Sequence, residues 1–341
     1  MRFKDYIDIH RGAIYSKICE YVPLREPSGH YGIMRDYIDR QGSYRRPGFV
    51  MLGGQLFGAD PKDLVLPAAA EQLSEEWILM QDDVADDSDL RRGKPAAHKL
   101  YGWIHTVNAT NVGQMAMWRM LKDYVVDRGP ELGNRVYDKF YDMISYTIEG
   151  QYVENRFIHD TRDIGRATEE LYFRIIDSKT SYYSVYGPLQ IGAMAAGRCD
   201  EATLGALREI GESAGVAFQI SDDILDMTSD EKVFGKKNFG DLYEGKLTLI
   251  ILRAYAGATA EERERIDGIY RKTRQEKTAE DIEFLKAVIG KYDGIGYARA
   301  VAEKHGRMAA EAIERHRGEL PDNEYRRILI SAAEELYKRD K

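Results

Sequence analysis

Apolar residues recur at helical spacing along much of this chain. Leu64, Ala68, Leu73, Trp77 and Met80 form one stripe, and Leu171, Ile175, Ile176, Lys179 and Tyr183 form another. A third joins Leu204, Leu207, Ile210, Ala214 and Phe218. Between Thr259 and Val288, Ile266, Ile269, Ile282 and Leu285 punctuate a run rich in Glu, Arg and Lys, which predicts solvated helices. Strand-like alternation is scarce. Eight prolines lie between Pro23 and Pro188, and the next is Pro321. Proline lacks an N–H and clashes one turn back in a helix, so the proline-free stretch suits successive helices. Breaks are expected at Pro23–Gly29, Gly42–Pro47, Gly58–Lys62, Gly93–Pro95, Gly129–Gly133, His159–Gly165, Gly187–Pro188 and Gly235–Gly245. None is a long polar linker, so residues 1–341 read as a single all-α domain, with helices around a central cavity.

Composition narrows the function. A net charge of -8 argues against broad nucleic-acid binding, which needs a positive surface, but leaves room for a small anion in a local basic pocket. Cys19 and Cys199 are the only cysteines, too few for a disulfide framework, and read as reduced thiols of a cytoplasmic protein. Met1–Asp5 lacks the apolar core of a signal peptide, and no run approaches the roughly 18 apolar residues of a membrane span. A soluble protein without integral membrane association is expected. The seven histidines show no zinc spacing.

Two clusters carry the chemistry. Asp82, Asp83 and Asp86 share the spacing i, i+1, i+4 with Asp222, Asp223 and Asp226. At about 100° per residue, each trio projects from one side of a helix. Both follow apolar runs, Trp77–Met80 and Val216–Phe218. Clustered carboxylates repel unless a cation compensates, and their hard oxygens suit Mg²⁺ shared with substrate phosphates. Cations lie nearby in sequence: Arg91, Arg92 and Lys94 after the first cluster, and Lys179, Lys236 and Lys246 around the second. Metal-binding acids beside separate cations describe a polyphosphate site.

These motifs resemble those of the trans-type polyprenyl diphosphate synthases, the farnesyl and geranylgeranyl diphosphate synthase family. The match runs from Asp82–Asp86 and Arg91–Pro95 through Lys179-Thr180 and Phe218–Asp226 to Gly235-Lys236, Asp241-Leu242 and Glu244–Leu249. It implies an isoprenoid synthase-type helical bundle around a deep cavity, usually a homodimer, with the aspartate motifs facing each other. It further implies about three Mg²⁺ per site holding an allylic diphosphate. Arg91, Lys179, Lys236 and Lys246 would bind that diphosphate. Thr180 and Gln219 would stabilise the allylic cation by their dipoles, and isopentenyl diphosphate would attack it.

The acceptor half departs from the family pattern. Arg46 and Arg92 match its cations, but Ser43 stands where the family has Lys, and Glu75 where it has His or Gln. Gln114 replaces a family acid. Arg45 is a candidate to compensate. The expectation is a raised KM for isopentenyl diphosphate, partly relieved by Ser43→Lys with Glu75→His. Two rivals stay open: a terpene cyclase or a prenyltransferase with another acceptor, and a regulatory subunit. Trp77 and Ile78 hold the chain-length positions before Asp82, and Trp77 favours a C20 product within a C15–C25 range. Tyr182, Tyr183 and Tyr186 read as helix packing first and cavity wall second. The tail Tyr337–Arg339 reads as either a lid over diphosphate or a frayed end.

Overall fold

The computed structural model describes residues 1–228 and 239–337, and nearly all of them are helical. The first half comprises α1 (Phe3–Tyr21), α2 (Ser28–Asp39), α3 (Arg45–Leu56), α4 (Pro61–Ala85), α5 (Ala97–Tyr101), α6 (Trp103–Arg128) and α7 (Pro130–Asn155). Between α4 and α5 a two-residue antiparallel ribbon pairs Leu90 with Pro95 and Arg91 with Lys94. Then come α8 (Glu169–Ile176), α9 (Gly187–Ala195) and α10 (Glu201–Thr228). Shorter helices at Gly240–Glu244, Leu249–Gly257, Ala260–Tyr270 and Ala279–Lys291 lead to long ones at Gly294–Arg315 and Glu324–Tyr337.

Local chemistry explains most boundaries. The polar segment after Ala258 forms two helices, each opened by a reciprocal capping box: Thr259 with Glu262, and Thr278 with Asp281. The break expected at Gly187–Pro188 is absent. A π-helical stretch, Asp177–Tyr186, runs directly into α9, and the Gly187 amide donates to the Tyr182 carbonyl five residues back. That wider turn admits Pro188 in the next helical position without a kinked stop.

The buried apolar residues form two clusters. One fills the space among α1–α4, α6, α7, α9, the first half of α10 (Leu207, Ile210, Ala214) and the last helix. The other joins Tyr172, Ile175 and Ile176 of α8, the second half of α10 (Ile220, Ile224) and the helices between Leu249 and Ala302. α10 therefore belongs to both cores, and the main cavity lies along their seam.

Candidate active site

α4 is anchored at its start, where Asp60 accepts from the Lys62 amide at 2.9 Å and Pro61 takes a position that needs no amide partner. Residues about four apart then stack on one face, so Glu71, Glu75, Leu79 and Asp82 follow one another down the helix. Glu75, Ile78, Leu79 and Asp82 line one wall of a cavity of about 560 Å³. The opposite wall comes from Lys179, Thr180 and Tyr183 on the π-helical stretch, and from Gln219, Asp222, Asp223 and Asp226 on α10.

Two glycines bring that second wall together. A Cβ on Gly215 would stand 2.5 Å from Ser181 Cα, and one on Gly211 would stand 2.4 Å from Tyr186 Cβ. Without side chains there, α10 lies directly on the π-helical stretch. The same i+4 row then continues to Gln219 and Asp223. Thr180 donates to Gln219 Oε1 at 2.8 Å, Gln219 Nε2 donates to Asp223 Oδ1 at 2.9 Å, and Tyr172 donates to Asp223 Oδ2 at 2.6 Å. The two residues expected beside the allylic cation are thus held in one hydrogen-bonded row.

The first cluster is divided in its duties. Asp82 faces the cavity, 3.4 Å from Lys179 Nζ. Asp83 is fully buried, accepts from Tyr37 at 2.5 Å and is gripped by the Arg91 guanidinium, whose Nε lies 3.0 Å from each carboxylate oxygen. Asp86 pairs with Lys246 at 3.0 Å. Burial alone would lower Arg91, but Asp83 outweighs it and keeps the guanidinium charged. Lys179 behaves likewise: Asp82 and Glu154, with which it pairs directly, hold it above the ordinary lysine value despite burial. Lys246 is held up by Asp86, Glu244 and Asp241 against the same burial.

Burial pushes Asp86 and Asp223 up to about 7. Asp86 Oδ1 is buried without a hydrogen-bond partner. Acids so placed gain from a cation, and their hard oxygens fit Mg²⁺. Among the described residues no three metal-ligating side chains converge as a ready-made cage. Mg²⁺ does not require one, because it binds through one or two carboxylates, waters and substrate phosphates. Lys236 lies outside the described residues.

At the far side of the cavity stand Ser43, Arg45, Arg46 and Arg92. Arg45 lies 5.6 Å from the Phe218 ring centre. Arg46 rests over the Tyr183 ring at 4.7 Å and pairs with Glu75 Oε1 at 3.1 Å. Arg92 reaches the same Glu75 oxygen at 3.7 Å and Glu76 at 2.8 Å. Both acceptor-site cations are therefore engaged by carboxylates of α4.

A smaller chamber of about 250 Å³ opens beside the first and shares Ile78, Asp82, Thr147 and Gln151 with it. Trp77 and Ile78, the expected chain-length residues, both line it. Of the three tyrosines, Tyr183 borders the main cavity, whereas Tyr182 and Tyr186 stack on each other with ring centres 4.6 Å apart. Tyr337 packs against Gly306 rather than over the cavity, and Lys338 and Arg339 lie outside the described residues.

Sequence reasoning missed Tyr37, Tyr172, Glu154, Glu71 and Glu76. The tyrosines sit on ordinary apolar stripes and give no signal. Glu71 and Glu76 did leave one, since with Glu75 they put three acids on the mostly apolar stretch Leu64–Met80, whereas Glu154 left none.

Comparison with known proteins decides the family. The polyprenyl synthetase model matches residues 29–288. The chain belongs to that family. Its members make prenyl diphosphates, so the protein is a prenyltransferase. It is 31% identical over 299 residues to a short chain isoprenyl diphosphate synthase of Methanothermobacter thermautotrophicus, covering 88% of this chain and 87% of that one. It is also 31% identical to a geranylgeranyl diphosphate synthase of Methanosarcina mazei, over 75% of this chain and 76% of the relative. The crystal structure of a geranylgeranyl pyrophosphate synthetase from Pyrococcus horikoshii superposes with a TM-score of 0.85 at 28% identity, covering 99% of this chain and 98% of that one. The polyprenyl synthetase family depends on divalent metal, and the oxygen-rich mouth accords with that. No helix among the described residues is long and apolar enough to cross a membrane.

Proposed function

We propose that this polyprenyl synthetase is a short-chain enzyme that joins an allylic diphosphate to isopentenyl diphosphate and releases a C20 product. The observation that carries the reading is the pair of lysines between the aspartate clusters. Lys179 and Lys246 stand on the second cluster's side and reach Asp82 and Asp86 of the first, at 3.4 Å and 3.0 Å. Carboxylates and cations thereby alternate around one mouth, as a metal-bound diphosphate requires. The geranylgeranyl relatives and a side chamber walled by Trp77 and Ile78 support C20.

In this reading Asp82, Asp86, Asp222, Asp223 and Asp226 hold Mg²⁺, with Asp83 fixing Arg91 behind them. When bound, Mg²⁺ supplies the charge that steadies the leaving pyrophosphate. Arg91, Lys179 and Lys246 orient the donor diphosphate, and Lys236 belongs to the same set. The allylic C–O bond breaks with its electron pair on pyrophosphate. The row Thr180–Gln219 turns its oxygen dipoles toward the carbon left positive. With its diphosphate held by Arg46 and Arg92, the acceptor then attacks that carbon through its double bond, whose electron pair becomes the new C–C bond. A proton leaves the resulting cation for the departing pyrophosphate.

Exposed apolar side chains on α6 and α7, including Trp103, Ile104, Met115, Tyr141, Ile148 and Tyr152, support a homodimer. Two free cysteines accord with a cytoplasmic setting. A second reading, with another acceptor or none, is favoured by the hold of Glu75 on both Arg46 and Arg92. Purified protein with Mg²⁺ and dimethylallyl, geranyl or farnesyl diphosphate distinguishes them. Geranylgeranyl diphosphate formed only when isopentenyl diphosphate is added supports the first; cyclic or hydrolysed products without it support the second. No turnover in either arm sinks both.

A further inference from the structure

The acceptor side of the cavity contains an anion of the protein's own. Glu75 is 7% exposed, lies in the wall of the cavity, and places Oε1 between Arg46 and Arg92. Its Oε2 is buried with no hydrogen-bond partner. One helical turn earlier, Glu71 is fully buried and both its carboxylate oxygens lack partners. Beside it, Glu76 is also fully buried, accepts from Gln72 at 2.7 Å and pairs with Arg92.

Every element around Glu75 contributes to its charge balance. α3 supplies Arg46, the turn before it Tyr44, the ribbon Arg92, and the π-helical stretch Tyr183. α4 itself adds Glu71 and Glu76. Burial drives Glu71 well above the ordinary glutamate value. Two carboxylates, Glu75 and Glu76, thus pair with two guanidiniums, Arg46 and Arg92. A diphosphate arriving there adds at least two negative charges to a buried, already balanced group.

We propose that Glu75 is the selectivity-determining residue of the acceptor subsite, an internal counter-anion that a diphosphate displaces from Arg46 and Arg92 while the buried Glu76 beside it takes up a proton from solution. The inference rests on the prenyltransferase reading for the identity of the acceptor. Exchange explains how a pocket with Ser43 and Glu75 in place of a cation and a neutral donor still receives an anion. Glu76, which burial pushes up to about 7, accepts a proton once the diphosphate has drawn Arg92 away. A ligand whose binding takes up one proton loses up to about tenfold in affinity per pH unit on the alkaline side.

Binding calorimetry with isopentenyl diphosphate alone tests this without turnover. Titration at pH 7.5 in two buffers of different ionisation heat counts the protons taken up. For the wild type, between about half and one proton per ligand is expected, with Kd rising about three- to tenfold from pH 7 to pH 8. Glu75→Gln should bind more tightly and lose at least half of that uptake, and its remainder reports the ligand's own titration. Glu76→Gln provides a second variant, and the wild-type count needs neither. Proton uptake near zero in the wild type, no binding by either protein, or an unchanged count and Kd in Glu75→Gln overturns the proposal. The two readings fail separately. Proton uptake without any elongation of farnesyl diphosphate removes the function and leaves the exchange, whereas elongation without uptake does the reverse.

Discussion

Glu71 couples stability to pH although no solvent touches it. Its unfolded-state carboxyl ionises near 4.5, while burial in the folded protein raises it well beyond that. Above pH 4.5 the native state therefore holds a proton that the unfolded state has released. Stability falls as pH rises, until the folded-state value is passed. Glu71→Gln removes this penalty. The variant's gain in unfolding free energy is expected to be larger at pH 8 than at pH 5, by up to about 1.4 kcal/mol per pH unit across the window. Thermal unfolding at the two pH values checks it, and an equal gain at both would show that Glu71 is solvated. A second residue-scale expectation concerns Tyr37. Tyr37→Phe leaves Arg91 as the main partner of a fully buried Asp83, and a loss of about 1–3 kcal/mol by denaturant melt follows. Asp82, Asp86, Lys179 and Gln219 were legible in the sequence, because acids, cations and amides at motif spacing announce themselves. Tyr37 and Tyr172 were not. A phenol on an apolar stripe has the pattern of packing until a fold brings a carboxylate to it.

At the scale of elements, two features decide geometry: the glycine row of α10 and the face of α4 toward the side chamber. Gly215→Ala would push a Cβ into Ser181 and separate the helix from the π-helical stretch, at about 1–3 kcal/mol of overpacking. Because the displaced row carries Gln219, kcat is expected to fall more than KM for the allylic substrate rises. Steady-state kinetics resolves the split, and a change in KM alone would contradict it. Ile78→Ala joins the two chambers more widely, so the product should lengthen by at least one C5 unit, read by chromatography of the dephosphorylated prenols. An unchanged product length would move the length determinant elsewhere. The sequence foretold both helices, but it placed a break at Gly187–Pro188. Periodicity counts 3.6 residues per turn, and a π-helical stretch with another count lies outside what that pattern can express.

On the scale of the whole molecule, the all-α fold was legible from helical stripes and the missing prolines. The division of its interior into two apolar clusters was not, since both clusters are built from the same residue types. Ligands that bridge the cavity bind the folded protein and not the unfolded one, so Mg²⁺ with a non-hydrolysable allylic diphosphate analogue should raise Tm. At 100 times Kd the gain is about 2.7 kcal/mol. Differential scanning calorimetry that shows no shift would mean the clusters do not share a ligand. The seam also has a mechanical meaning. α10 and the helix Gly294–Arg315 both run from one core into the other, and Asp222, Asp223 and Asp226 lie on the second half of α10. Two helices that cross the seam tie the cores to each other, so loosening either core displaces the acids that α10 carries to the mouth.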